Sequence, residues 1–95
     1  MKTAALIALA LITTPIAAAD SADDQFLSLL APKDIPGERD QLIAEGHQSC
    51  DNYGTPALTF QMLGMRGRGL SAAQAQDIIM AGMRAYCPDK LPAGL

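Results

Sequence analysis

Aromatic residues, histidines and cysteines are all scarce in this chain of 95 residues. It has two phenylalanines, two tyrosines and no tryptophan, so it lacks the flat side chains on which a sugar-binding or base-stacking surface depends. It has one histidine, two cysteines and no cofactor-binding loop, which leaves no set of residues for a catalytic or metal centre. We therefore expect no enzyme activity, no bound metal and no cofactor.

Positive charge is scarce as well. Seven basic residues stand against ten acidic ones, which gives a formal net charge of −3. Sequence-independent binding to nucleic acids depends on a basic surface, so we expect no nucleic acid partner. No apolar run approaches the ~20 residues with which a helix crosses a bilayer, and no segment alternates β-branched residues as a strand would. The mature protein should therefore have no stable membrane span and no sheet.

The first 19 residues have the pattern of a secretory signal peptide. Lys2 is followed by nine consecutive apolar residues, 4–12, and three alanines precede Asp20. We expect cleavage between Ala19 and Asp20, which leaves residues 20–95 as a single domain. Loss of Lys2 leaves six basic and ten acidic residues, a formal charge of −4. This domain should be secreted or reside in the cell envelope, and we expect it to be a monomer.

The mature chain predicts an all-α fold, a small bundle of about four short helices. Pro32, Gly54 and Pro88 mark the ends of three of them. Ser71 and Gln74 have the spacing of a capping box. The expected helices are one that ends before Pro32, one over residues 38–53, one with Thr55 as its N-cap and Pro56 in its first turn that ends at residues 66–69, and one from residue 71 to 86 or 87; residues 91–95 form a loose tail.

The two cysteines are expected to form a disulfide. Short connections make neighbouring helices antiparallel, so the second and fourth helices run parallel and their carboxyl ends lie together. Cys50 lies in the last turn of the second helix and Cys87 at the end of the fourth, in a compartment that favours disulfides. In the chain-entropy treatment, closing this loop stabilises the fold by about 4 kcal/mol, which is a large contribution for so short a chain.

Two patterns resemble metal sites, but a structural interpretation suits both better. His47 precedes Cys50 by three residues, yet the bridge removes the thiolate, and His47 is the only histidine. The sequence MLGMR at residues 62–66 recurs as MAGMR at residues 80–84, and paired thioethers can bind Cu(I). The four methionines fall at the spacing of a helical core stripe, where methionine fills irregular gaps.

Two charged motifs also have simple structural explanations. The RGRG sequence at residues 66–69 could hold an anion, but glycine-rich charged turns are commonly solvated loops. Asp23 with Asp24, or Glu38 with Asp40, could form the carboxylate pair of a hydrolase. Each pair is expected in the first turn of a helix, where acidic residues stabilise the helix dipole.

Several motifs together resemble a known family. They are FLSLL at residues 26–30, LIAEGHQSC at 42–50, GLSAAQAQ at 69–76 and AYCP at 85–88. The chain thereby resembles the small exported mycobacterial proteins grouped as domain of unknown function 732. The resemblance spans Phe26 to Pro88 and implies a compact helical domain whose paired cysteines are bridged. It implies no activity.

Two classes of function fit these observations. The one we favour is a non-catalytic module that binds a protein or an apolar small molecule. Phe26, Leu29 and Leu30 are the candidate partner surface, because their helix is joined to the rest only by the connector at residues 32–37 and could lift away. The alternative is a metal or redox accessory protein that uses the methionine pairs for copper, or the cysteine pair as a reducible switch.

Overall fold

The computed structural model describes residues 21–92, and over that range the fold is all-α, as predicted. Among these residues there is no strand, and no helix is long and apolar enough to cross a membrane. The predicted signal peptide, its cleavage point between Ala19 and Asp20 and the end of the tail lie outside the described residues. The helices are α1 (21–30), α2 (Arg39–Asn52), α3 (Ala57–Gly67) and α4 (Ala72–Tyr86), and short 3-10 helices follow α1 at Ala31–Lys33 and α4 at Pro88–Lys90.

Local sequence signals set the helix ends. The Ser71 hydroxyl accepts a hydrogen bond from the Gln74 amide at 3.1 Å, and the Gln74 side-chain oxygen accepts one from the Ser71 amide at 2.9 Å. These two bonds complete the predicted capping box. Thr55 Oγ1 accepts a hydrogen bond from the Ala57 amide at 3.2 Å, next to the start of α3. Gly54, with a φ of 80°, follows the end of α2 in a conformation that glycine adopts readily.

The core is centred on α4. This helix contributes six buried residues, whereas α2 contributes four and α3 contributes one. A helix with so many buried positions must be covered by neighbours on more than one side. The buried residues of the helices are Phe26 and Leu30 in α1, Leu42, Gly46, Ser49 and Cys50 in α2, Met65 in α3, and Ala75, Ile78, Ile79, Ala81, Gly82 and Met83 in α4.

Helices α2 and α4 cross at two glycines. A Cβ atom on Gly82 would lie 2.6 Å from the carbonyl oxygen of Gly46, so only glycine permits this approach. Nearer the helix ends, Cys50 and Cys87 are bridged, with their Cα atoms 6.0 Å apart. Because Gly46 meets Gly82 and the later Cys50 meets the later Cys87, the two helices run parallel. The predicted disulfide and the predicted helix direction are both confirmed.

Helix α1 packs into the core, which corrects the prediction of a separable partner surface. Phe26 is fully buried, and Leu30 is only 4% exposed. The Phe26 ring lies against Gly46, where an added Cβ atom would be 2.8 Å from Phe26 Cε1. Of the three predicted surface residues, Leu29 alone is half-buried rather than buried. The prediction was wrong for Phe26 and Leu30 because the bare backbone of α2 leaves room for the aromatic ring.

Helix α1 is also fixed to the end of α4 through Tyr86. The Tyr86 hydroxyl donates a hydrogen bond to Asp23 Oδ1 at 2.5 Å, and the Tyr86 and Phe26 ring centroids lie 5.5 Å apart. Further along α1, Leu29 borders the same pocket as Met80. Later residues of α1 therefore meet earlier residues of α4, and these two helices run antiparallel. The connector is not the only tie between α1 and the rest of the bundle.

Helix α3 is held to α2 through polar contacts. The Gln61 side-chain amide donates hydrogen bonds to the Glu45 carbonyl at 2.9 Å and to the Ser49 hydroxyl at 3.2 Å, and its oxygen accepts one from Asn52 at 3.0 Å. Just after α3, Arg68 binds the Glu45 carboxylate through Nε at 3.0 Å and Nη2 at 2.7 Å. Because these bonds position a helix that buries a single residue, much of its apolar surface stays outside the core.

Replacing Gly82 with alanine should lower the free energy of unfolding by about 3 kcal/mol, because the new methyl group would collide with the α2 backbone. The matched control is Gly64→Ala in α3, where an added Cβ atom meets nothing within 4 Å. This control should be neutral or stabilise the protein by up to about 1 kcal/mol, since alanine favours a helix. Denaturant unfolding measures both variants, and equal effects would contradict the close crossing of α2 and α4.

Removing the bridge with the double substitution Cys50→Ala and Cys87→Ala should lower the free energy of unfolding by about 2–5 kcal/mol, because the loop between them is no longer closed in the unfolded chain. Alanine places no polar group at these two buried positions, so the measured change reports the loss of the bridge and not the burial of a polar side chain. Reduction of the unmodified protein serves as the control and should lower the thermal midpoint similarly. A midpoint that neither treatment changes would show that the core is sufficient without the bridge.

The pKa of Tyr86 is raised above its ordinary value of 10.0, first by burial and then by its hydrogen bond to Asp23. In a Tyr53→Phe variant, Tyr86 is the only tyrosine, so the tyrosinate absorbance reports it alone. We expect that absorbance to rise well above pH 10 in the folded protein and near pH 10 in urea. Since the folded pKa is the higher one, the stability that this group contributes is complete below pH 10 and is lost as the pH rises further. Titration of the folded protein near pH 10 would contradict the assignment.

Candidate functional site

The side of α3 that faces away from the core is an exposed apolar surface. Phe60 is 72% exposed and Leu63 is 60% exposed, and these are the exposed large hydrophobic side chains of the described chain. Gly64 and Gly67 lie beside them, and a Cβ atom at either glycine would meet nothing within 4 Å. We call Ala57, Phe60, Leu63, Gly64 and Gly67 the α3 outer face. All five are exposed, and none is charged.

The sequence pattern identified the opposite side of α3 and missed this one. Leu58 and Met62 pack at the margin of the core and Met65 is buried, so the predicted core stripe is correct. Phe60 comes two residues after Leu58, and at 100° per residue it must lie on the far side of the helix. That spacing was a signal for an exposed aromatic residue. Its exposure is a property of the tertiary structure, because a further helix packed there would have buried it.

A half-open pocket of about 280 Å³ lies between α1 and α4, and we call it the α1–α4 pocket. Its α4 residues follow the spacing i, i+3, i+4 and i+7, which places them on one face of that helix. Sequence periodicity could show this face but not which residues of α1 lie opposite. The lining residues are the apolar Leu29, Met80 and Ala81 and the charged Lys33, Asp77 and Arg84.

The methionine pairs are divided between the core and the surface. Met65 is 2% exposed and Met83 is fully buried, as predicted for core residues. Met62 is half-buried and packs against the core. Met80 departs from the prediction, because it lines the α1–α4 pocket. Only one thioether of each pair is therefore enclosed by the core, and the two pairs do not have equivalent surroundings.

His47 and Cys50 do not act as a pair. The Cys50 sulfur is bonded to Cys87, so no thiolate is available beside the histidine. The His47 ring stacks on Tyr86, with the ring centroids 3.8 Å apart and the planes 24° from parallel. Within residues 21–92, no group of three or more histidine, cysteine, aspartate or glutamate side chains is arranged to hold a metal ion. These contacts assign His47 a structural role beside Tyr86.

One residue of the RGRG motif, Arg68, forms a structural clamp, whereas Arg66, Gly67 and Gly69 are exposed, as expected of a solvated segment. Besides its two bonds to Glu45, Arg68 donates a hydrogen bond from Nη1 to the Pro36 carbonyl at 2.9 Å. The pKa of Arg68 is raised, chiefly by the hydrogen bond to Glu45, which favours the charged guanidinium. One arginine thus joins α2, the end of α3 and the connector after α1. Since Glu45 already occupies it, Arg68 is not free to hold an external anion.

The two predicted carboxylate pairs do not form catalytic pairs, because their members have other contacts. Asp23 accepts the hydrogen bond from Tyr86, while Asp24 is exposed. Asp40 is in the first turn of α2, as expected, and its carboxylate lies 3.8 Å from Arg39. Neither pair lines the α1–α4 pocket. The acidic residues therefore have structural partners or solvent around them.

No curated protein and no solved structure is significantly similar to this chain. The sequence does match a protein family over residues 22–89, which covers most of the chain, including α2, α3, α4 and all but the first residue of α1. The matched segment includes both bridged cysteines, the two crossing glycines, the α3 outer face and all the residues that line the α1–α4 pocket. The chain belongs to the family described as Protein of unknown function (DUF732).

Proposed function

We propose that this protein is a non-catalytic binding module, which contacts a protein partner through the α3 outer face. The observation that carries the proposal is the exposure of Phe60 and Leu63 one turn apart, with no charged residue on that face. Covering a large apolar side chain contributes about 1.5–3 kcal/mol, so two such residues can anchor a contact. Packing of the domain does not explain why these two exposed residues are apolar, because Gln61 and Arg68 already hold α3 against α2.

The shape of the face supports a helical apolar segment as the partner's contact. Gly64 and Gly67 have open space where side chains would stand, so the α3 backbone is accessible next to the two large residues. A partner helix can place its own side chains over such glycines and receive Phe60 and Leu63 between its turns. From Phe60 to Gly67 the face is about 10 Å long, which corresponds to about two turns of contact.

The proposed location is the cell envelope or the space outside the cell. The pattern of residues 1–19 supports export, because a basic residue, an apolar run and small residues occur in the order that a signal peptide requires. The disulfide between Cys50 and Cys87 is consistent with an oxidising compartment. An exported module of this size would act by contact with another molecule of the envelope.

A metal or redox accessory role has less support. Copper bound by the Met-x-x-Met pairs would have to reach Met65 and Met83, which are both enclosed in the core. A reducible switch would require a reductant to reach Cys50 and Cys87, each only 8% exposed. The absence of catalysis is part of the proposal, and it is supported by the commitment of the only histidine to a ring stack and of both cysteines to the bridge.

The proposal is tested by placing a photo-crosslinking amino acid at position 60 in the exporting cell. We expect it to capture one defined protein, and we expect the same label at exposed Gln76 of α4 to capture none. Adding Leu63→Asp should abolish the capture at position 60, because a carboxylate would have to be buried in the contact. The variant should stay folded, with a thermal midpoint close to that of the parent protein, since the side chain is largely solvent-exposed.

Three outcomes would contradict the proposal. Equal capture from positions 60 and 76 would show non-specific contact. Capture that Leu63→Asp does not affect would place the contact elsewhere on the protein. A cross-linked product of twice the mass of the chain would show that a second copy covers the face, in place of a different protein.

A further inference from the structure

We propose that the α1–α4 pocket binds a small amphiphilic carboxylate, with its apolar body on Leu29, Met80 and Ala81 and its carboxylate on Arg84. This site is separate from the α3 outer face, and the inference does not depend on the protein partner. It rests on the placement of apolar and charged side chains around a single cavity. A ligand that matched both would have one apolar part and one anionic group.

The floor of the pocket is apolar and can accept a hydrocarbon group. Leu29 and Met80 are half-buried, and Ala81 is buried. Methionine adapts its shape to an apolar neighbour, so Met80 suits a surface that accepts a flexible chain. The volume of about 280 Å³ is at the lower limit of ligand-binding cavities, which start near 300 Å³. The ligand must therefore be small.

The charges of the pocket are separated along α4. Asp77 and Arg84 are seven residues apart, which places them about 10 Å from each other along the helix. Because α1 and α4 are antiparallel, Lys33 after α1 lies toward the Asp77 end. Lys33 and Asp77 have opposite charges and offset each other there. Arg84 lies at the other end, and no carboxylate of the pocket lining is close enough to offset its charge.

Most other cations of the described chain already have partners. Arg68 is bound to Glu45, Arg39 lies 3.8 Å from Asp40, and Lys90 donates a hydrogen bond to the Cys50 carbonyl at 2.8 Å. The remaining three basic residues of the described chain are Lys33, Arg66 and Arg84. Of these, Lys33 and Arg84 line the pocket, and neither has a side-chain hydrogen bond or an ion pair among the described residues. In a domain with excess negative charge, two of these three cations line one cavity.

A single guanidinium favours a carboxylate as the charged group. Its planar donors match the two oxygens of a carboxylate, and such charge-assisted bonds are among the strongest in proteins. Because Lys33 and Asp77 offset each other at the far end, Arg84 is the one uncompensated cation of the lining, which favours a ligand with a single anionic group. A monocarboxylate with a short hydrocarbon chain is the ligand class that meets both conditions.

Decanoate, used below its micellar concentration, is a suitable probe, and isotope-edited NMR of the folded protein locates it. We expect saturable shifts at Leu29, Met80 and Ala81 and no shifts at Phe60 or Leu63. Arg84→Gln should weaken decanoate binding by about tenfold or more, since a charge-assisted hydrogen bond is lost. The matched control is Arg66→Gln, which removes an exposed arginine of α3 outside the pocket and should leave binding unchanged.

Charge and location are tested separately. Decanol should bind at least about tenfold more weakly than decanoate if Arg84 holds the carboxylate. Phe60→Gln should leave decanoate binding intact, so this result stands apart from the test of the α3 outer face. Equal binding of decanol and decanoate, equal weakening by Arg66→Gln and Arg84→Gln, shifts confined to α3, or no saturable binding would each overturn the inference.

Discussion

The close crossing of α2 and α4 is the constraint on which the rest of the fold depends. Gly46 and Gly82 let two helix backbones touch, and the bridge between Cys50 and Cys87 holds the same pair of helices together at their carboxyl ends. A side chain at Gly82 would move the two backbones apart, and one at Gly46 would displace the Phe26 and Tyr86 rings. The Phe26 ring occupies the space beside Gly46, so the position of α1 follows from the same crossing.

The helices differ in how much of their surface the core uses. Helix α4 is central and contributes most of the buried residues, whereas α3 is attached through Gln61 and Arg68 and leaves Phe60 and Leu63 in solvent. Polar attachment allows a helix to be well positioned without covering its apolar residues. This arrangement separates the two candidate surfaces: the α3 outer face is exposed and uncharged, and the α1–α4 pocket is concave with charges at both ends.

Residues that look reactive in the sequence are occupied by structural contacts. His47 stacks on Tyr86, Asp23 accepts the Tyr86 hydrogen bond, and Arg68 binds Glu45. A short domain has few side chains with which to hold its helices in place. Its scarce polar and aromatic residues therefore serve to orient the helices. The side chains that remain available for binding are those with no such partner among the described residues, such as Arg84 in the pocket and Phe60 on α3.

The sequence by itself determined the local structure and one long-range contact. Proline, glycine and the capping pair Ser71 and Gln74 act within a few residues, so they predicted the helix ends closely. The only two cysteines could form only one intramolecular bridge, and the directions of the helices made it feasible. Only the tertiary structure decided which apolar faces are covered, because Phe26 and Phe60 are both aromatic residues on short helices, and yet one is buried and the other exposed. The burial of Phe26 depends on the space that Gly46 leaves on a distant helix, and no pattern within α1 contains that information. The spacing within α3 places Phe60 opposite the core stripe, but whether another element covers it is decided by the tertiary structure.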